Sequence, residues 1–549
     1  MAPKEPESAI YGGAFESGLD RIPGTDPVID ADHHLSLKHG RGGDTVLIPQ
    51  PSNDPSDPLN WAKTWKYTVV LVQFAFTFIA VEAALSVAPM FPLFAEEFKL
   101  NQTQLNLLTG ACILAQAFAN FIIVPFSNIF GRRQASITFA VFIILTEIWE
   151  ALATSYHSLL AARVMNGLVT AISETVMVQV INDVFFLHER GAFTGVYFVT
   201  YFLGIFLGTI IAGSIAGKHG WRSFFWLSVG LSGFNLLTLL FFFPETKYSR
   251  STGSIQVAAS PSLASDPHEN DKRSSGSVGE TKESANNASA VSLVGQGRPS
   301  KKQYALWQKP DPRWKSYVLR DTLTPFRIFL YPLVLWAAVT LGGNVNINLF
   351  YALNESLVLA APPYYFSTAA VGYSNFGFMC GGLIGLLTAG PLSDYVAKRS
   401  ARKNNGIQEA EMRLPALIPF FCTMVIGIVV GGIALQRQWN WPILIVIGFG
   451  CAGLTVTSIP TIVIAYCIDC YKPLSGEIMV VATVVKNCCG FGMSYWVPQL
   501  AGKDGFITPA MVQFSLAAGP LLLGIPVYFF GKKLRIATKN SYVHKLSEY

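Results

Sequence analysis

Four charged side chains stand inside long apolar runs of this 549-residue chain: Glu82, Arg163, Glu174 and Lys486. A charge at the centre of a bilayer costs roughly 2.5–3.5 kcal/mol on insertion scales, so residues kept there face a wet cavity or a partner. A buried carboxyl group takes and releases a proton nearer to neutral pH than an exposed one, and its anion attracts a cation. These residue types suit proton handling and charge pairing. The sequence holds no Gly-x-Ser-x-Gly, no Walker-type GxxxxGK[ST] and no metal-ligand helix pair. No enzyme activity, ATP-driven pumping, metal or other cofactor is expected.

Spacing refines the reading. Glu174 lies eleven residues (174 − 163) after Arg163, and three helical turns take about 10.8 residues, which puts both on nearly one face. That face would line a central cavity with an acid and a fixed cation; otherwise Arg163 snorkels to the membrane interface. Glu82 and Glu174 sit at depths that differ by roughly 10 Å of helix rise. Each either serves transport or is a hydrogen-bonded structural acid. Lys486 either neutralises a carboxylate from another span or pairs with a helix opened around Gly490 and Gly492. Asn344, Asn346 and Asn348 follow the Gly342-Gly343 pair and cannot share one helical face. This predicts local unwinding lined by amides, against an alternative of amide bonds between helices. Tyr197, Tyr201, Phe350, Tyr351, Tyr466, Tyr495 and Trp496 could stack on a flat or cationic ligand.

The elements that hold these residues are apolar helices. The chain is 51% hydrophobic and 13% charged, with mean hydropathy +0.39, against about 25% charged in soluble domains. A spanning helix needs about 20 apolar residues. Such windows fall near 67–91, 104–126, 134–155, 158–183, 191–216 and 222–243, then near 330–353, 369–392, 414–435, 441–466, 476–501 and 510–532. The expected architecture is an all-α polytopic membrane protein of twelve transmembrane helices in two pseudo-symmetric halves, 67–243 and 330–532. Residues 1–66 and 533–549 are tails, and 244–329 is a Ser-rich, largely disordered central loop whose last part, with Trp among Lys and Arg, suits the headgroup level.

With the N-terminus inside, short inner loops hold nine Lys or Arg and short outer loops five. Both termini and the central loop are therefore expected to be cytoplasmic. The net charge of +6 belongs to this bias, and no nucleic-acid partner is expected. Asn101-Gln-Thr103, in the first outer loop, is a glycosylation sequon, and Asn354-Glu-Ser356 is a second. The eight cysteines read as small packing residues; Cys467-x-x-Cys470 has no companion pair.

Two near-copies follow the second span of each half: Val124-Pro-Phe-Ser-Asn128-Ile-Phe-Gly131-Arg132-Arg133 and Gly390-Pro-Leu-Ser-Asp394-Tyr-Val-Ala-Lys398-Arg399. Together with the six-plus-six layout, they resemble the gating motif of the major facilitator superfamily. Arg163-Val-Met-Asn166-Gly167, Pro244-Glu-Thr-Lys-Tyr-Ser-Arg250 and Asp54-Pro-Ser-Asp-Pro-Leu-Asn-Trp61 are similar to elements of fungal twelve-span drug:proton transporters. Asp183-Val-Phe-Phe-Leu-His-Glu-Arg-Gly191 and Tyr466-Cys-Ile-Asp-Cys-Tyr471 resemble the subgroup with polyamine and histidinol transporters. Gly204 to Gly213 resembles the Gly-rich element of proton antiporters, with Thr209 and Ala212 departing from it.

The resemblance implies a monomeric, plasma-membrane (alternatively vacuolar) transporter that uses the proton gradient, with Arg163 in proton coupling. Export of drug-like molecules or secondary metabolites is its first form, and proton-symport uptake of a cation such as a polyamine its second. A nutrient receptor on a transporter scaffold is a third reading. It also implies that the acid of the gating motif pairs with a cation. With Asn128 in that place, the first-half latch should be the weaker one and Asn128→Asp should be tolerated.

Overall fold

The computed structural model describes residues 25–27, 51–52, 54–248, 295–307, 310–312, 314–404, 407–471 and 475–538. The Ser-rich centre of the loop, and with it the expected disorder, lies outside the described residues. Among those residues, twelve helical segments are long and apolar enough to cross a membrane. Spans 1 to 6 are Lys63–Phe98, Gln102–Phe130, Arg132–Leu152, Tyr156–Val184, Phe193–His219 and Trp221–Phe242. Spans 7 to 12 are Pro332–Leu359, Thr368–Lys403, Ala410–Arg437, Ile443–Cys470, Gly476–Asp504 and Ile507–Thr538. An even number of crossings returns the chain to one face. We term it the tail face, and the opposite one the far face.

Local chemistry sets the ends of the helices. Asn101 caps span 2 in a reciprocal capping box with Gln104, and Ser155 caps span 4. Span 2 stops at Gly131, whose φ of +100° only glycine adopts without strain. At the equivalent place in span 8 stands Ala397, and that helix runs on to Lys403. Span 4 is interrupted: helix Tyr156–Thr170 hands over at Ala171 to helix Ile172–Val184.

Span 7 is one continuous helix, Pro332–Leu359, which corrects the expected unwinding. Two of the three alternating amides donate to carbonyls without opening the backbone. Asn344 Nδ2 donates to the Thr340 carbonyl at 2.9 Å, and Asn346 Nδ2 to the Lys486 carbonyl at 2.9 Å. The glycines serve close packing instead. A Cβ at Gly343 would come within 2.2 Å of the Leu516 carbonyl oxygen, and one at Gly342 would lie 3.4 Å from Lys486 Cα.

The two halves meet along span 2 with span 11 and span 5 with span 8. At the far face their ends are sealed. Ser356 Oγ donates to the Ala88 carbonyl at 2.5 Å, and Gln102 Nε2 to the Leu353 carbonyl at 3.2 Å. Gly213 and Gly372 let spans 5 and 8 touch, since a Cβ on Gly213 would lie 2.8 Å from Gly372 Cα. At the tail face, an amphipathic linker helix, Trp314–Phe329, precedes span 7 and stacks Phe326 on Phe121 of span 2 at 5.1 Å. The Asp54–Trp61 stretch folds against the central loop ahead of this helix: the Asn60 carbonyl accepts from the Gly295 and Gly297 amides, each at 2.9 Å. Strands Thr25–Pro27 and Ile407–Glu409 pair antiparallel, tying the N-terminal tail to the second half.

Candidate functional site

Glu174 and Lys486 form an ion pair that joins the two halves. Lys486 Nζ lies 2.6 Å from Glu174 Oε1. It also donates to the Tyr201 hydroxyl at 2.9 Å, and that hydroxyl donates to the same carboxylate oxygen at 3.1 Å. Asn487 Nδ2 donates to Glu174 Oε2 at 3.2 Å, so both carboxylate oxygens have partners. The ammonium is 5.0 Å from the Tyr201 ring centroid, and the Tyr197 hydroxyl donates to the Glu174 carbonyl at 3.4 Å. Each member lies ten residues from the tail end of its span (184 − 174 and 486 − 476). That is about 15 Å of helix, half of a hydrocarbon core about 30 Å thick. Of the two alternatives for Lys486, the carboxylate partner is the one observed, on a continuous helix Ser475–Asp504.

Nearby, a void of about 40 Å³ lies among spans 1, 2, 5 and 7, lined by Thr109, Asn348 and Leu353 among others. It has room for a few waters, each of which needs about 10–15 Å³ of such space. An organic solute needs this region to open.

Among the described residues, Arg163 and Glu174 share no hydrogen-bond or ion-pair partner: Glu174 bonds across to span 11, and Arg163 bonds to spans 1 and 3. Nor does Arg163 snorkel, being 1% exposed. Its guanidinium donates to the Ala83 carbonyl at 3.0 Å, to the Ala84 carbonyl, and to Glu150 Oε1 at 3.4 Å. It therefore fastens the end of the first helix of span 1 to spans 3 and 4. Glu82 is fully buried beside the Ser228 hydroxyl, 3.4 Å from each carboxylate oxygen, and packs on Gly208 of span 5. Glu147 accepts from Ser232 at 2.8 Å. These acids lie inside the first bundle, apart from Glu174. Tyr466 is also displaced from the expected pathway: it is buried with Trp336, ring centroids 5.7 Å apart, near Gly531 of span 12.

Glu355 was not singled out by sequence. It is 1% exposed and accepts from Asn375 at 3.1 Å, bridging spans 7 and 8. It stands in the Asn354-Glu-Ser356 sequon, which the sequence places at the outer end of span 7. The structure buries that sequon, with Asn354 donating to the Phe350 carbonyl, whereas Asn101 is exposed.

The near-copies at the tail face build equivalent triads. In the second half Arg413 of span 9 lies 2.6 Å from Asp394 of span 8 and 2.7 Å from Asp469 of span 10. In the first half Arg132 of span 3 lies 2.8 Å from Asp183 of span 4, and its Nη1 donates to Asn128 Oδ1 of span 2 at 3.0 Å. Asn128 thus fills the acid's place with its amide oxygen. Its Nδ2 donates in turn to Asp321 of the linker helix at 2.5 Å. The missing charge is supplied one step away, from a different element. The first-half cluster is the more buried, with Arg132 and Asp183 side chains 11% and 21% exposed against 53% for Asp394, although Arg413 meets two carboxylates and Arg132 one. Lys398 and Arg399, expected to take part, are exposed, and Arg399 reaches only the Tyr395 hydroxyl at 3.4 Å.

Glu245, just past span 6, completes the first latch. Its carboxylate accepts from the Arg132 and Arg133 amides at 2.9 and 3.1 Å, capping span 3, and from the Lys247 amide at 2.8 Å. Burial pushes its carboxyl above the ordinary value, and those three donors oppose the rise. Arg133 donates to the Leu239, Leu240 and Phe243 carbonyls at the end of span 6. A Cβ at Gly131 would fall 2.2 Å from Glu245 Oε2. Gly131→Ala is therefore expected to cost roughly 2–4 kcal/mol, from backbone strain plus loss of the cap. Thermal unfolding in detergent measures it; an unchanged midpoint would refute this role for the glycine.

The family model described as Major Facilitator Superfamily matches residues 70–492. The chain belongs to the major facilitator superfamily. Among relatives within it, Protein HOL1 of Saccharomyces cerevisiae is 27% identical over 96% of this chain and 97% of its own. Efflux pump radE of Floropilus chiversii is 22% identical over 95% and 91%. Of solved structures, the proton:xylose symporter XylE bound to 6-bromo-6-deoxy-D-glucose has the same superfamily fold, with a TM-score of 0.54 and 14% identity over 86% of this chain and 96% of that one. The superfamily's two-bundle architecture accounts for the repeated latch and for a charged cluster where the bundles meet.

Proposed function

We propose that this chain is a proton-coupled secondary transporter that exports small organic molecules, drug-like compounds or secondary metabolites, by alternating access. The observation that carries the reading is the Glu174–Lys486 pair. It ties the halves at mid-depth, so any motion that parts them must rupture or exchange it, and a proton or a charged solute is the natural agent. The relative named an efflux pump supports export. The charge bias of the loops supports a cytoplasmic tail face, exposed Asn101 supports a glycan on the far face, and the membrane proposed is the plasma membrane.

Proteoliposomes with an imposed pH gradient test this, with a panel of neutral toxins and organic cations. Gradient-dependent uptake is expected, and Glu174→Gln should lower it at least tenfold. Uptake indifferent to collapse of the gradient, with Glu174→Gln fully active, would sink proton coupling. Import of a cation is the second reading, favoured by a carboxylate at the bundle junction. Growth on toxic polyamines separates the two directions: an exporter protects cells and an importer sensitises them.

A further inference from the structure

We propose that the Lys486 ammonium is a tethered occupant of a site for organic ammonium ions, and that such a ligand displaces it with release of one proton. The proposal rests on the transporter reading above and names the substrate class of the same junction. Everything that holds the lysine nitrogen is a cation receptor. Glu174 supplies the anion at 2.6 Å, Tyr201 a hydroxyl oxygen at 2.9 Å and a ring face at 5.0 Å. Asn487 and the Tyr201 hydroxyl hold the carboxylate in place at 3.2 and 3.1 Å. A primary ammonium on a small organic molecule presents the same head group, without the tether.

Charge balance then requires the lysine to lose its proton. Glu174 and Lys486 together are neutral, and a second cation beside them would leave one buried positive charge without a counterion, a state strongly disfavoured in a dry interior. No other group there absorbs it. The titratable neighbours are Tyr197 and Tyr201 on span 5, within hydrogen-bonding distance of Glu174, and Cys112 on span 2, within its electrostatic reach; none of these is basic. Span 7 contributes the uncharged Asn346. Exchange therefore starts from the carboxylate paired with the Lys486 ammonium, plus one free alkylammonium ion. It ends with the carboxylate paired with the alkylammonium, a neutral Lys486 amine and one proton released to the open side. The N–H bond of the lysine is the one that breaks, its electron pair stays on nitrogen, and charge is conserved. Return of a proton to Lys486 restores the pair and expels the ligand, which is antiport with the lysine as proton carrier.

The test uses the purified full chain in detergent, with n-butylammonium and phenethylammonium as probes. Calorimetry in buffers of different ionisation enthalpy counts protons released per ligand bound. One proton is expected, with apparent affinity rising by up to about tenfold per pH unit. Lys486→Arg keeps the ion pair but cannot give up its proton, so it should bind the probes at least 100-fold more weakly. Lys486→Gln should still bind them. A purely structural strut predicts the opposite order, since arginine preserves a strut and glutamine breaks it. Binding without proton release, or unweakened binding by the well-folded Lys486→Arg, overturns the proposal. So does failure of either probe to bind while a pH gradient still drives uptake of a neutral solute, which leaves the transporter reading standing. Proton-releasing binding with no gradient-driven transport in proteoliposomes sinks the transporter reading instead and supports the exchange site.

Discussion

Glu174→Leu is expected to destabilise the folded protein by about 3–5 kcal/mol and to abolish gradient-driven uptake. The reason is asymmetry. The pair at 2.6 Å has side chains only 2% and 11% exposed, so removing the carboxylate leaves a largely buried ammonium without its counterion. Its remaining oxygen partner, the Tyr201 hydroxyl, carries no charge. Removing both charges is different, because replacing a buried ion pair with well-packed apolar side chains is often neutral or stabilising. The double variant Glu174→Leu/Lys486→Leu should therefore regain most of the lost stability while transport stays absent. Thermal unfolding in detergent and uptake by proteoliposomes measure the two effects separately. A single variant as stable as the parent protein would remove the pair from the energetics of the bundle junction. A double variant that transported normally would remove it from the mechanism.

The helices were legible because a bilayer leaves them little choice: backbone groups in hydrocarbon must bond within the segment, so length and apolarity suffice. Span 8 overran its expected end because Ala397 stands where span 2 has its terminating Gly131. The site was legible as residue types but not as partners. Lys486 and Glu174 are 312 residues apart, and nothing in either local sequence says they meet. Arg163 and Glu174 went wrong in the other direction. Their helical spacing was sound arithmetic, and Ala171 between them keeps helical angles, but spacing on one helix does not say which carbonyls and charges from other spans each side chain will meet. The Asn344-x-Asn346-x-Asn348 alternation was correctly seen to face different ways. The Asn344 and Asn346 nitrogens donate to carbonyls without unwinding, and those carbonyls belong to the preceding turn and to a distant span.

Asn128→Asp is expected to impair transport at least tenfold and to loosen the linker helix, against the tolerance that its resemblance to an acid-bearing motif implies. In the parent protein the amide serves two neighbours at once: its oxygen accepts from Arg132 and its nitrogen donates to Asp321. An aspartate keeps the first contact and turns the second into two carboxylates at hydrogen-bonding distance, which cannot both ionise without strong repulsion. Asp321 is 3% exposed, so solvent screens little of it, and its other salt-bridge partner is the neighbouring Arg320 at 2.8 Å. The compensating change is Asp321→Asn. Asn128→Asp/Asp321→Asn exchanges the acid and the amide, restoring both a charge-assisted bond to Arg132 and an amide donor between span 2 and the linker helix. It should recover transport to within about threefold, and the cycle of single and double variants should show a coupling of about 1–3 kcal/mol in unfolding. Strictly additive effects would mean that Asn128 and Asp321 act independently, and the linker helix would then be no part of the latch. The reverse exchange in the second half disturbs no such partner among the described residues. Asp394→Asn should weaken the Arg413 contact alone, leaving Asp469 at 2.7 Å to hold the arginine, so its effect should be smaller than that of Asn128→Asp.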